Sequence, residues 1–595
     1  MNCFYASKDT NECRPLPATR MFPRFLAPLN RASPLTLSTL LFVFALLTFS
    51  WQLGEGPIFR TMEGREALVM QEIVCTGNWI LPLRNGETIP SKPPLLHWTG
   101  VVVAHLTGSV SEWSVRFPCA LFSALSVALT CWLGCRLAGH QAGVLAALLL
   151  FTMPGITEMA REGWVDPALA FFVLAALASF FSMYEDDQWR GRRSIAFYLS
   201  LAGAVLSKGP VGYILPTLVI LAYLAVQGQC SRVRMFFSLP GLLLAIGLPL
   251  TWYLLAFSQE GWAFVHKQVL QENLVRFTAG SGKHIPSGAF FLAPALADGL
   301  PWSFLFCFGL WHFSRHAPVR EKGVFALVWW VIIMGVFSVS AGKREVYLLP
   351  AYPAMALFAA EWGWPFVPEQ TRPLPRILRI TLCFIALSLA VLVLVGAVSA
   401  ATGRLTIDTV WLDRLLGEDK WRNVALYIRF FARQPVYGIL LSIALCLGGV
   451  YAVYQSTAGR WRAALWTVLF LLILDTVALY PFTRAYAKEF KSFAGFTAAL
   501  HQTVGADEPL FFYTPETYSS EFDEFSQIYF YLNRHVPLAA CAQQPDFSRC
   551  APGYYLVRMQ YWKSLQTLPN VEKILDSHDS AGPDAQGWLI LVRLH

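Results

Sequence analysis

The sequence predicts a polytopic α-helical membrane protein with about 13 transmembrane helices and a small α/β domain at its C-terminal end. Three observations carry this. The 595-residue chain is 55% hydrophobic and only 14% charged, and its mean hydropathy is positive, outside the range of soluble enzymes. Apolar runs of about the length that crosses a bilayer core recur along it. Residues 485–595 then break the pattern, mixing short apolar strings with polar ones.

The runs cover residues 34–53, 114–134, 140–155, 164–183, 195–207, 210–227, 236–257, 288–313, 323–340, 345–363, 376–399, 436–455 and 462–481. Positive loops stay on the inner side. The arm before the first run carries Lys8, Arg14, Arg20, Arg24 and Arg31, and alternate connections carry Arg190/Arg192/Arg193, Arg232/Arg234, Arg315/Arg320/Lys322, Arg372/Arg376/Arg379 and Arg460/Arg462. An odd number of crossings then puts the tail, 485–595, and the first loop, 54–113, outside. The first run follows an arm spanning 1–33 and lacks a small-x-small exit, so it reads as an anchor rather than a cleaved signal. The net charge of +8 reports inner loops, not a nucleic-acid surface.

Three outer segments, 54–113, 258–287 and 400–435, are too long for simple turns. In the first, "RTMEGREALVMQEIVCTGNWILPLRNGETIPSKPPLLHW", Thr61 caps a helix over Met62–Val74. Its apolar face is Met62, Val69 and Ile73, and Thr76-Gly77-Asn78 ends it. That is the pattern of a helix lying in the membrane surface. Pro90 and Pro93-Pro94 precede a second apolar stretch, Leu95–Leu106, too short to span and also read as interfacial. In the tail, "PLFFYTP", "GYYLVRM" and "WLILVRLH" suggest strands of a domain large enough for a modest core of its own.

The 12 cysteines show no zinc spacing. Cys541 and Cys550 lie in the outer tail and pair if that compartment oxidises. His97 and His105 stand eight apart, without the i, i+4 spacing of a helical metal site.

Outer-face charges are the informative set, because the orientation rule disfavours cations there. Arg65, Lys92, Lys208, Lys267, Arg276, Lys283, Lys343 and Arg344 all fall on that side. Together they suit a lipid-linked phosphate; singly, each also reads as a solvated or snorkelling side chain. Of the outer carboxylates, Glu63 and Glu66 are helix neighbours whose mutual repulsion would raise one pKa, as a general base near neutrality requires. Solvating the helix's polar face is the plainer reading. Asp166, in "WVDPALAFF", opens an apolar span, where an acid is a functional or pairing group by default.

The strings "MEGREALVMQEIVCTGNWILPLRNGETIPSKPPLLHW", "WVDPALAFFVL", "LSKGPVGYILP", "LPLTWYLLAF", "QENLVRF", "DGLPWSFL" and "FSVSAGKREVYLLPAYPAMAL" follow one another as in the bacterial relatives of the protein O-mannosyltransferases. The aminoarabinose transferases that modify lipid A are the best-known members. The chain resembles that family over roughly residues 34–362.

The resemblance implies a GT-C glycosyltransferase of the bacterial inner membrane with a cytoplasmic arm at 1–33, a transmembrane domain at 34–484 and a periplasmic domain at 485–595. It would move a hexose or pentose from a polyprenyl-phosphate donor to lipid A, another glycolipid, a polysaccharide or a protein. Aligned on the Gly-x-Trp step, the family's first acid, its presumed catalytic group, falls on Met62 and its second on Glu63. Glu63 is then the nearest replacement base, Glu66 the reserve, and Asp166 the third candidate. Arg65, Lys92, Lys208, Arg276, Lys343 and Tyr347 match family positions and form the expected phosphate site. Ser91 and Asn273 stand where the aminoarabinose transferases hold a metal-linked Glu and His, so no metal is carried over from the resemblance, and a divalent metal stays an open alternative.

Two rivals remain at this level: a transporter or flippase of a lipid-linked substrate, and a non-catalytic relative that the Met62 departure would suit. A Glu63→Gln chain that stays folded but loses transfer is the outcome the enzyme reading expects.

Overall fold

Ser33 starts the first span: its hydroxyl accepts the Thr36 N–H at 3.0 Å, and Pro34 fills the first helical position of α1 (Pro34–Ser50). The computed structural model describes residues 31–595 apart from 87, 190, 237, 279–290, 317–322, 365–434, 479, 506, 515–523, 540, 542–546, 548–549 and 583–586. The expected run at 376–399, nearly all of the outer segment at 400–435, and Lys283 lie outside the described residues.

The first loop holds α2 (Thr61–Thr76) and α3 (Leu95–Thr107). The chain then forms α4 (Glu112–Ala138), α5 (His140–Phe151), the short α6 (Pro154–Met159), α7 (Asp166–Asp186), α8 (Arg192–Lys208) and α9 (Val211–Val226). The bundle core joins Phe49, Phe151, Phe180, Phe181 and Tyr223 to Trp302 and Trp329 from later helices. Among the described residues three helical runs are long and apolar enough to cross a membrane: Glu112–Ala138, Asp166–Asp186 and Leu239–Thr278. A bent pair makes a fourth.

One expected segment differs. Residues 288–313 are not one straight span: Leu292–Asp298 and the helix after it meet at 118°. Pro301, at the junction, has no N–H with which to continue the ladder. Of the expected outer segment at 258–287, the described residues 258–278 carry structure of their own and are helical. The run Leu239–Thr278 turns at Gly261, whose φ of 55° a side chain would resist. That turn carries Gln268, Glu272 and Arg276 toward the first loop.

The tail folds as a four-stranded mixed sheet in the order β1-β2-β4-β3, formed by Leu510–Tyr513, Gly553–Arg558, Val571–Asp576 and Leu589–Leu594. Only β1 and β2 are parallel. Alternation along the strands makes two faces. Tyr513, Tyr555, Val557, Ile590 and Val592 pack with Phe547 and Leu565 on one face. Cys541 and Cys550 are bonded nearby.

Phe512, Leu556, Leu589 and Leu591 on the other face join Leu68, Val69, Met70 and Ile73 of α2 in a single core. The tail thus has a small core of its own on one face and shares the core on the other face with the first loop. α2, expected to be an interfacial helix, is packed between α3 and the helix Ser526–Leu532. Gly64 makes this contact close, since a Cβ there would stand 2.6 Å from the Gln527 nitrogen. Farther along, Asn85 donates to the Val536 carbonyl at 2.7 Å and accepts that residue's N–H at 3.1 Å. α3 keeps an exposed apolar flank at Val102 and Leu106, as an interfacial helix would.

Candidate active site

Four parts of the chain meet beneath α2. Lys208 ends α8 and forms an ion pair with Asp166, which opens α7 ahead of Pro167. The same ammonium lies 4.0 Å from the centre of the Tyr347 ring. Lys92, after the first prolines, reaches Glu272 at 2.9 Å, and Arg276 pairs with the same carboxylate one helical turn on. Gln268 donates to the Pro90 carbonyl at 2.6 Å and fixes that helix against the first loop. The Gly342 N–H donates to the Arg276 carbonyl at 3.0 Å, which brings in the segment bearing Arg344 and Tyr347.

The resulting pocket is lined by Met62, Glu66, Lys92, Asp166, Lys208, Arg276, Arg344 and Tyr347, together with Gly163, Trp164, Val165 and Val346. Its volume, about 20 Å³, is room for a water molecule and little more. Burial, with Arg276 and Lys208 close by, holds the Lys92 ammonium below its ordinary range against the pull of Glu272.

Glu66, Asp166, Lys92, Lys208, Arg276 and Tyr347 thus come together as the motifs suggest, whereas Glu63, Arg65 and Lys343 lie off this pocket. Glu63 does not line the pocket and is buried against Arg116, whose Nε donates at 2.6 Å and Nη2 at 3.1 Å. Burial works to raise the Glu63 carboxyl, but Arg116, Arg484 and the Gly163 N–H overcome it and hold it below the usual carboxylate range. Engaged in this way, the Glu63 carboxylate ties α2 to α4. Lys343 folds back on its own helix end, donating to the Ser338 and Ser340 carbonyls at 3.0 Å each. Arg65 donates to the Met62 sulfur at 3.6 Å.

Glu66 meets His97 at 2.5 Å, both buried. Burial alone would raise the Glu66 carboxyl; the His97 hydrogen bond and charge, with Arg84 and Lys92, bring it below the ordinary range. Separate partners, rather than helix spacing, explain why neither Glu63 nor Glu66 is raised as their expected repulsion would require. Each acid has a buried partner of its own, Arg116 for Glu63 and His97 for Glu66.

A second, larger cavity of about 810 Å³ lies on the other side of Met62 and Trp164, which line both spaces. Phe59, Arg60, Glu158, Arg161, Glu162, Asp475, Tyr480 and Arg484 are among its walls. Met62, at the position aligned with the family's first acid, therefore stands at the junction of the two.

Ser91 and Asn273 stand where the aminoarabinose transferases would hold a metal-linked Glu and His. Asn273 uses its amide nitrogen to donate to the Gln268 carbonyl, and no group of three His, Cys, Asp or Glu capable of holding a metal occurs among the described residues.

Comparison with known proteins bears on this arrangement. Residues 91–255 match the family described as dolichyl-phosphate-mannose-protein mannosyltransferase. An undecaprenyl phosphate-α-4-amino-4-deoxy-L-arabinose arabinosyl transferase from Pseudomonas fluorescens is 29% identical over 300 residues, covering 50% of this chain and 54% of that protein. One from Aeromonas salmonicida is 25% identical over 321 residues, covering 53% and 58%. An uncharacterized protein from Aquifex aeolicus is 28% identical over 326 residues, covering 54% and 63%. The chain thus matches just over half the length of these relatives. The crystal structure of ArnT from Cupriavidus metallidurans bound to undecaprenyl phosphate superposes with a TM-score of 0.68 at 19% identity, over 93% of this chain and 97% of that one. The fold is GT-C, and the resemblance to the aminoarabinose transferase-like family holds.

Sequence reasoning missed Arg116 and counted Arg344 and Glu162 only among the outer-face charges, without assigning either to the site. Arg116 is an arginine inside an apolar span, "SEWSVRFPCAL", a signal of a functional or pairing residue. Arg344 follows Lys343 directly, and only the backbone turn tells which of the two faces the pocket. Glu162 carries no local signal beyond lying four residues before Asp166.

Proposed function

We propose that the chain is a membrane glycosyltransferase that moves a hexose or pentose from a polyprenyl-phosphate donor to a hydroxyl-bearing lipid or glycan. In this reading it lies in a bacterial inner membrane with about 13 crossings, its arm cytoplasmic, and its site and tail periplasmic. The convergence of Lys92, Lys208, Arg276 and Arg344 around one small pocket carries the donor assignment. Four cations at one spot suit a phosphate monoester or diester. The names of the relatives and the undecaprenyl phosphate of the Cupriavidus protein support the same donor class.

The chemistry is a single displacement. The acceptor oxygen attacks the anomeric carbon while the carbon–oxygen bond to the donor phosphate breaks. Negative charge grows on the departing polyprenyl phosphate, and fixed cations lower the barrier because they meet more charge in the transition state than in the ground state. Asp166 and Glu272 hold the Lys208, Lys92 and Arg276 side chains at the pocket until a phosphate takes over part of that role. The closed volume means that donor entry must separate some of these pairs.

The test is mass spectrometry of lipids and glycans from envelopes with the wild-type chain, without it, and with Lys208→Met. A sugar-bearing species that appears only with the wild-type chain supports the assignment. No difference in any fraction overturns it and favours a transporter or a non-catalytic relative.

A further inference from the structure

We propose that Glu162 takes the proton from the acceptor hydroxyl, and that the acceptor approaches through the 810 Å³ cavity. This rests on the transferase reading above and supplies the base that Met62 cannot be.

Geometry singles Glu162 out. Residues 162–166 run along the partition between the two cavities: Glu162 faces the large one, Trp164 lines both, and Asp166 faces the cation pocket. The partition is pinned at every step. The Gly163 N–H donates to Glu63 Oε1 at 3.2 Å, the Trp164 carbonyl accepts from the Cys119 thiol at 3.0 Å, and the Trp164 indole N–H donates to Glu162 Oε2 at 3.1 Å. Arg60 Nε stands 3.1 Å from the other Glu162 oxygen. The buried Glu63 pair with Arg116 thus acts on the site indirectly, by holding the partition.

The other carboxylates of the large cavity fit less well. Glu158 is half exposed and engaged by Arg60 at 2.6 Å, and Asp475 lies on the helix Trp461–Ala478, which contributes nothing to the shared wall. None of the three carboxylates lines the cation pocket itself, but Glu162 alone is bonded to Trp164, a residue of the wall that the two cavities share.

Burial, with the like charges of Glu63 and Glu158, pushes the Glu162 carboxyl up to about 7 against Arg60 and Arg484. Arg161, Tyr480 and Lys491 complete the charged and titratable surroundings on that side. A carboxyl poised near neutrality is suited to accept a proton.

In the step itself the acceptor oxygen gives its proton to Glu162 and its electron pair to the anomeric carbon. The bond from that carbon to the donor phosphate oxygen breaks, and its electrons leave on the polyprenyl phosphate beside Lys208 and Arg276. Water in the large cavity then removes the proton from Glu162.

The test compares full-length wild-type, Glu162→Gln and Glu162→Asp chains in membranes, reading both undecaprenyl phosphate binding and the chain-dependent glycan. Glu162→Gln is expected to bind undecaprenyl phosphate as wild type does and to lose transfer at least ~100-fold, with Asp restoring part of it. Wild-type transfer by a folded Glu162→Gln chain overturns Glu162 as base while leaving the transferase reading intact. A wild-type chain with no glycan product overturns both. If Glu162→Gln fails to accumulate, the wild-type pH profile decides: a rate rising through pH about 7 supports the proposal and a flat profile overturns it.

Discussion

Arg116 grips both carboxylate oxygens of Glu63, and neither side chain is more than 1% exposed. The remaining guanidinium donors go to the carbonyls of Leu53, Gly56 and Pro57, so all five N–H groups of the arginine are used. One residue therefore ties the chain leaving α1 to α2 and, through Glu63 and Gly163, to the partition of the site.

Breaking that pair should unfold the region rather than silence it. Glu63→Gln and Arg116→Leu each leave an uncompensated buried charge or acceptor, at a cost of about 3–5 kcal/mol. Thermal melting in detergent is expected to drop strongly for both. This reverses the outcome that the motifs alone suggest for Glu63→Gln, and a folded, inactive Glu63→Gln chain would contradict it.

The cation pocket predicts graded loss of donor affinity. Lys92→Ala, Lys208→Met and Arg276→Ala are each expected to weaken undecaprenyl phosphate binding ~10-fold or more, while Lys343→Met, whose ammonium caps its own helix, lowers stability without a comparable effect on binding. Because Lys92 is held below its ordinary value of 10.5, binding should weaken with rising pH before a free lysine would lose its proton. Titrating the ligand across pH checks both statements.

Glu162 makes a stability prediction of definite sign. Its folded value of about 7 lies above the ordinary 4.5, so the unfolded chain ionises first as pH rises and stability falls across that window. Glu162→Gln removes this loss. The variant should melt above wild type at pH about 8 and lose the advantage below pH about 4.5, whereas a carboxylate that stabilised the fold would give the opposite order.

Glu66 behaves in the opposite sense. Its folded carboxyl lies below the ordinary 4.5 because His97 favours the ionised form, so its stabilisation is complete above that value and is lost as pH falls beneath it. Acid melting curves of wild type and Glu66→Gln should converge at low pH.

The Cys541–Cys550 bond closes a short loop, with a sequence separation of nine. Reduction should lower the stability of the tail by about 2–3 kcal/mol, seen as earlier protection loss in hydrogen exchange of β2 and β4 under reductant. An unchanged exchange pattern would exclude that contribution.

Hydrophobicity and local motifs determined much by themselves: the helical membrane class, most helix positions in the bundle, and six of the pocket residues. They could do so because span length, helix periodicity and turn chemistry are local properties. The tertiary structure alone decided what each acid faces. Glu63, Glu66 and Glu162 look alike in sequence, yet one faces Arg116, one His97 and one an open cavity, and burial and partner set their chemistry. It also decided that the tail shares its core with α2 and that the chain turns at Gly261 to deliver Arg276. Those facts depend on contacts between residues far apart in the chain, such as Glu63 with Gly163 and Lys92 with Glu272, which no local pattern encodes.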